Sequence, residues 1–223
     1  DQGAVYFATL TGNPTNPVYD ANTGKYSTFY EVENPVRLIN EYQKDLKWNE
    51  FTSTGKIVYR PIEELSLTAL GSLRTYNNNN GTFATRNYDD IHDGQVWREA
   101  MYNESKTLEL YGQYSKAIKQ HDFSILGGYS YNDFEEQNFN LYNYNYPTDA
   151  LGYAKPGLGM ALKEGLASMD GHKFMNKLIS FFGRVNYNYD EKYLFSGSLR
   201  YEGSSKFGKN HQWGLFYAAS GAW

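Results

Sequence analysis

Two runs of sequence, Lys177-Leu-Ile-Ser-Phe-Phe-Gly-Arg-Val-Asn-Tyr-Asn-Tyr189 and Tyr193-Leu-Phe-Ser-Gly-Ser-Leu-Arg-Tyr-Glu202, joined by Asp190-Glu-Lys192, decide the fold. In the first run Ile179, Phe181, Gly183, Val185, Tyr187 and Tyr189 alternate with Ser180, Phe182, Arg184, Asn186 and Asn188. Successive side chains of a β-strand point to opposite faces, so this pattern predicts a strand lying between two different environments. In the second run Tyr193, Phe195, Gly197, Leu199 and Tyr201 oppose Leu194, Ser196, Ser198, Arg200 and Glu202. With so short a connection the two runs form a hairpin.

Working outward, Leu65, Leu67, Ala69, Gly71 and Leu73 alternate with Ser66, Thr68, Leu70, Ser72 and Arg74. Leu108, Leu110, Gly112 and Tyr114 alternate with Glu109, Tyr111, Gln113 and Ser115, and Phe123, Ile125, Gly127, Tyr129 and Tyr131 with Ser124, Leu126, Gly128, Ser130 and Asn132. Less regular versions span about Asp45 to Arg60 and Gln212 to Trp223, which makes about seven strands. The connections alternate in length. Tight turns at Pro61–Glu64, Lys119–Asp122 and Asp190–Lys192 are interleaved with Asn77–Ser105, Glu136–Asn176 and the more modest Ser204–His211. In an antiparallel meander this places every tight turn at one end and every longer loop at the other, as in an outer-membrane barrel with short periplasmic turns and long extracellular loops. The expected strands, roughly 12 to 16 residues, exceed the 9 to 11 needed to cross the hydrocarbon.

Composition narrows the classes further. The chain has 223 residues, no Cys, 22 Tyr, 21% charged residues and a formal net charge of −4, with a mean hydropathy of −0.69. No run is apolar and long enough for a transmembrane helix or a signal-peptide core. Without Cys there is no disulfide framework, thiolate metal site or thiol nucleophile. Mild acidity without a Lys/Arg cluster argues against nucleic acid as a partner. The apolar face mixes Leu, Ile and Phe with Gly and ends in Tyr, a composition suited to lipid and its interfacial girdles. The other face carries Arg74, Glu109, Arg184, Arg200 and Glu202, charges costly in a dry core but well placed in a barrel lumen or against a polar plug.

The run Asn176 to Tyr189, the turn Asp190-Glu-Lys-Tyr-Leu194, the segment Ser198-Leu-Arg-Tyr-Glu-Gly-Ser-Ser-Lys-Phe-Gly208 and the tail Gln212-Trp-Gly-Leu-Phe-Tyr-Ala-Ala-Ser-Gly-Ala-Trp223 resemble the barrel of SusC/RagA-type TonB-dependent transporters of Bacteroidota. Upstream, Asn13-Pro-Thr-Asn-Pro-Val-Tyr-Asp20, Gly24-Lys-Tyr26 and Glu33-Asn-Pro-Val36 are similar to an extracellular loop of that family feeding a descending strand. Tyr217 stands where the family usually has Pro. The resemblance implies a 22-stranded plugged barrel in the outer membrane of a Gram-negative bacterium, importing an oligosaccharide or a peptide under a SusD-like surface lipoprotein, with energy delivered through TonB. It implies no cofactor and no catalysed reaction. Neither the plug, the TonB box nor the closing aromatic strand is recognisable in the chain. The expectation is therefore an interior piece: residues 1–44 an extracellular loop leading into a strand, and 45–223 a partial barrel that leaves two sheet edges unpaired and does not fold alone.

Candidate sites lie mainly in the loops. Asn138-Phe-Asn-Leu-Tyr-Asn-Tyr-Asn-Tyr146 interleaves rings with amides, so Phe139, Tyr142, Tyr144 and Tyr146 are candidates to stack on substrate or touch the lid. The competing reading is that this stretch continues the barrel wall, with Phe139 and Leu141 packing it. Met160 to Met175, with Leu162, Leu166 and Met169 at near-helical spacing, is expected as a short loop helix. In Tyr88-Asp-Asp-Ile-His-Asp-Gly94, Asp89, Asp90 and Asp93 form a calcium candidate without EF-hand spacing. His92, His121, His172 and His211 are scattered without metal-like spacing, and Gly157-Leu-Gly159 lacks the rest of a nucleotide fingerprint. The alternative from another class is a soluble carbohydrate-binding β-sandwich, which requires a dense aliphatic inner face and no systematic alternation of connection lengths.

Overall fold

The computed structural model describes residues 2–28, 32–88 and 91–223. Its strands are β1 (Tyr42–Asp45), β2 (Trp48–Ile62), β3 (Leu65–Ala84), β4 (Gln95–Ile118), β5 (His121–Tyr144), β6 (Ser168–Tyr189), β7 (Tyr193–Ser204) and β8 (Trp213–Ala222). They form one sheet in the order β1-β3-β4-β5-β6-β7-β8, with β2 also paired to β3. Because β1 and β2 both pair with β3, interrupted at Leu46 and Lys47, the sheet has the seven positions that the alternation predicts. The central hairpin has the expected register. Phe181 pairs with Tyr201, Gly183 with Leu199, Val185 with Gly197 and Tyr187 with Phe195, while Arg184 pairs with Ser198 and Phe182 with Arg200. At its turn Asp190 and Glu191 both take positive φ (53° and 52°), and the Lys192 N–H donates to the Tyr189 carbonyl at 3.0 Å. Two successive positive-φ residues give the twist that a right-handed hairpin needs.

The long strands extend well past the apolar stripe: β4 and β5 have 24 residues each. This corrects the expected loops. Of Asn77–Ser105 only residues 85–94 connect strands, and of Glu136–Asn176 only 145–167. The Asn-rich stretch looks like loop by composition, yet its amides work inside the sheet. Asn78 and Asn80 each donate to Glu99 on the facing strand, so backbone pairing continues where apolar patterning stops. Likewise the expected helix from Met160 to Met175 is only α3 (Met160–Lys163), and Ser168 onward belongs to β6. In residues 1–44 two helices appear, α1 (Gln2–Thr11) and α2 (Pro35–Glu41). Asn34 caps α2: its Oδ1 accepts from the Val36 and Arg37 N–H groups, and Pro35 fills the first turn, where a missing N–H costs nothing.

The apolar residues of the stripe are not buried. Ile57 is 72% exposed and Tyr217 82%, and Leu67, Leu110, Ile125, Phe181, Val185, Phe195, Leu199 and Leu215 are all exposed. Among the described residues no second layer covers this stripe, whereas a soluble sandwich would bury it. Packing at the polar face is local. A side chain at Gly128 would meet the Tyr111 Cβ and the Phe182 ring within 3 Å, so the glycine makes room for both residues. The chain divides into two compact units, one of residues 1–49, 77–101 and 138–172, the other of 50–76, 102–137 and 173–223.

Candidate functional site

In the first unit, β3, β4 and β5 place an aromatic and amide cluster on one face. Trp97 stacks on Tyr142 with ring centroids 5.0 Å apart and planes 28° from parallel. Tyr144 lies 5.5 Å from Tyr142, and His92 meets the Tyr144 ring edge-on at 4.3 Å. The Tyr142 hydroxyl donates to Gln95 Oε1 at 3.0 Å, which fixes the ring that Trp97 covers. Beside them the Glu99 carboxylate accepts from Asn78 Nδ2 at 3.4 Å and from Asn80 Nδ2 at 3.2 Å, so both of its oxygens are held by amides. A cavity of about 250 Å³ opens here, lined among others by Lys44, Asn80, Trp97, Glu99, Asn140 and Tyr142. The arrangement presents a flat π surface next to a fixed carboxylate and several amides. That chemistry suits a ligand with an apolar face and hydrogen-bonding edges.

The opposite face of the same strands is closed by the segment 145–167. Phe83, Val96 and Tyr146 form a buried core, with Tyr153 and Leu158 packed against it. Asn143, fully buried, fastens the segment: its Nδ2 donates to the Pro156 and Gly159 carbonyls at 2.8 and 3.1 Å, and its Oδ1 accepts from the Leu162 N–H at 3.0 Å. Gly159 is required at that contact, because any Cβ there would sit 2.6 Å from the Asn143 amide. The Tyr146 hydroxyl donates to the Pro156 carbonyl at 2.6 Å, and burial pushes the phenol up to about 12. Further along, the Tyr153 hydroxyl donates to Asp45, and the Arg98 guanidinium stands 5.3 Å over the Tyr153 ring. That hydroxyl, followed by Lys47, holds the Asp45 carboxyl below its ordinary value.

The four loop aromatics singled out in the sequence therefore separate. Tyr142 and Tyr144 belong to the cluster. Phe139 is exposed, and by alternation lies on the other side of β5. Tyr146 is 3% exposed and engaged in the closed core, so it offers no surface to a ligand. Trp97 and Glu99 are not legible in the sequence as members of the cluster, because Gln95-Val-Trp-Arg-Glu99 lies in a stretch whose composition points to loop. Among the charges, Arg200 donates to Glu202 at 2.5 Å and to Ser180 at 2.8 Å, and Arg74 donates to Glu50 at 2.7 Å. Arg184 is exposed and Glu109 partly buried on their strands. Of the calcium candidate, Asp89 and Asp90 lie outside the described residues, and the backbone of Asp93 is bonded to Tyr146 and Asn145. Among the described residues no group of three or more metal-ligating side chains gathers.

No protein-family model matches the chain. It is 29% identical over 199 residues to TonB-dependent receptor P3 of Formosa agariphila, a match covering 86% of this chain and 19% of that protein. It is 25% identical to TonB-dependent receptor SusC of Bacteroides thetaiotaomicron across its whole length, which covers 24% of that receptor. Among solved structures, the RagAB peptide importer in its open-open state superposes with a TM-score of 0.77 at 21% identity, over 95% of this chain and 23% of that one. The chain thus spans about a fifth to a quarter of the relatives it matches. Two-faced strands, tight turns opposite longer loops and these relatives agree: the chain has the fold of a β-barrel segment and is similar to TonB-dependent receptors of the SusC/RagA type.

Proposed function

We propose that the complete protein imports an oligosaccharide or a peptide across the outer membrane, beneath a SusD-like surface lipoprotein and with energy supplied through TonB. This segment supplies part of the barrel wall and part of the surface the substrate meets. The observation that carries the reading is the sheet's division into an exposed apolar stripe and a polar face bearing the Trp97–Tyr142 cluster.

Aromatic pairs bracket the stripe, as a lipid-facing wall requires. Toward the turns stand Tyr114 with Phe123, His121 with Tyr187, and Tyr189 with Tyr193. Toward the other end stand Tyr129 with Phe181 and Tyr201 with Trp213. Along β4, Trp97 and Glu99 share strand parity with Glu109 and Gln113, which supports a lumen-facing cluster. In this reading Arg74, Glu109, Arg184, Arg200 and Glu202 line the lumen, pairing with one another or with the plug. Tyr142 and Tyr144 join Trp97 as substrate contacts.

The test is made in the full-length transporter. Trp97→Ala and Tyr142→Ala should abolish or slow growth on the nutrient that depends on it, with outer-membrane protein levels unchanged. Loss of one stacking ring should weaken substrate binding about 2- to 13-fold, the equivalent of about 0.5–1.5 kcal/mol. Unchanged growth and binding in both variants would remove the cluster from the substrate path. Recovery of the full-length protein in the aqueous fraction without detergent would refute the transporter reading itself.

A further inference from the structure

The connections of the first unit hold a second cavity, of about 510 Å³, which shares no lining residue with the one beside Trp97. Tyr19, Lys25, Glu41, Arg86, Asn87 and Asp93 stand in its walls. Part of the wall is a short antiparallel pairing of Tyr19 with Tyr26, whose ring centroids are 4.9 Å apart. Asp20 closes the turn between them: its Oδ1 accepts from the Asn22 and Thr23 N–H groups at 2.9 and 2.8 Å. The buried Asn34 fastens this pairing to α2, because its Nδ2 donates to the Val18 and Ser27 carbonyls at 2.9 and 3.2 Å while its Oδ1 caps the helix. Glu41 is fixed as firmly. It accepts from the Tyr26 hydroxyl at 2.9 Å and from the Thr85 hydroxyl, one on each carboxylate oxygen.

Other polar groups at this cavity are left open. Arg86 engages Asp149 through its backbone N–H and Nε, so its two terminal nitrogens stay available. The Asn87 amide and the Asp93 carboxylate have no partner among the described residues. Beside them the Tyr19 ring is 51% exposed. The charges balance, Lys25 and Arg86 against Glu41 and Asp93, so the cavity favours neither an anion nor a cation. Among the described residues no aliphatic side chain lines it, and an apolar peptide side chain would meet only the two tyrosine rings. What fits is a ligand with one apolar face and groups around it that both donate and accept. A hydroxyl does both, and the C–H face of a sugar ring packs on an aromatic ring. The volume is within the range of about 300–1,000 Å³ usual for small-ligand sites.

We infer that this cavity binds a neutral oligosaccharide, with one sugar ring over Tyr19 and its hydroxyls on Arg86, Asn87 and Asp93. The site goes beyond the import reading: it lies among the connections rather than on the strand face, and it does not depend on which face of the sheet meets lipid.

The test uses the full-length protein in detergent micelles, carrying Trp97→Ala and Tyr142→Ala so that binding at the strand-face cluster is removed. The probes are neutral gluco-, manno- and galacto-oligosaccharides, oligogalacturonates and tetra-alanine, and the affinity of each is measured. This background should bind at least one neutral oligosaccharide. Adding Tyr19→Ala should weaken that binding about 2- to 13-fold, the loss expected for one stacking ring, and adding Asn87→Ala should weaken it as well. Undiminished affinity in both variants, or a background that binds no neutral oligosaccharide, overturns the inference. Tyr19-dependent binding of oligogalacturonate or tetra-alanine in place of the neutral sugars overturns it too. If Tyr19→Ala is not recovered folded, Asn87→Ala and Asp93→Asn are compared instead, and two undiminished affinities overturn it equally. Each of these failures leaves the import reading standing. That reading fails separately, when the Trp97 and Tyr142 variants grow and bind as wild type does.

Discussion

At the scale of the residue, Asn143 does most to separate the closed face of the first unit from the open one. One buried amide satisfies the carbonyls of Pro156 and Gly159 and the N–H of Leu162. Asn143→Ala would leave all three without that partner, at a cost on the order of 1–3 kcal/mol, the penalty for unsatisfied buried polar groups. Limited proteolysis should then cut within 145–167 faster, with the rest of the barrel unaffected. Tyr146 adds a pH dependence of known sign. Its folded pKa is raised from the ordinary 10 to about 12, so the neutral phenol is favoured by folding. Its contribution is complete below pH 10 and is lost as pH rises from 10 to 12. Hydrogen exchange in 145–167 should accelerate across that window in wild type. In Tyr146→Phe only the intrinsic hydroxide catalysis of exchange should remain across that window, because no phenol is left to ionise.

At the scale of the element, alternation alone locates the apolar-striped part of each strand and its faces. Every residue placed on the apolar side of the Lys177–Glu202 hairpin is paired there with another from the same side. Where the chain leaves the apolar stripe, that signal fails. Asn78, Asn80 and Glu99 form cross-strand contacts by amide and carboxylate chemistry, which carries no hydropathy period, so composition there points to loop and the Trp97 cluster is not legible in it. Tyr142 and Tyr144 were legible because rings alternate visibly with amides, and Tyr146 broke that pattern only through tertiary burial. The two-faced reading predicts a sharp asymmetry along β7. Leu199→Lys, on the exposed apolar stripe, should destabilise the folded barrel by about 2–4 kcal/mol near mid-membrane, seen as lost heat-modifiable mobility in gels. Ser198→Lys, one residue away on the polar face, should be tolerated. Equal effects at the two positions would mean that the faces are not lipid and lumen.

At the scale of the whole molecule, an exposed apolar stripe, two aromatic borders and connections that alternate in length make sense together only when the sheet stands across a membrane. Charged pairs such as Arg200–Glu202 lie on the polar face of the sheet, opposite the apolar stripe. The chain has no Cys of its own, so introduced thiols in a cysteine-free version of the full-length protein report on topology without background. Ile91, 82% exposed in the connection between β3 and β4, belongs to the longer-loop end, and Glu191, in the β6–β7 turn, to the other. With an impermeant maleimide on intact cells, Ile91→Cys should label and Glu191→Cys should label only after the outer membrane is opened. Labelling of Glu191→Cys on intact cells, with Ile91→Cys protected or labelled equally, would contradict the account.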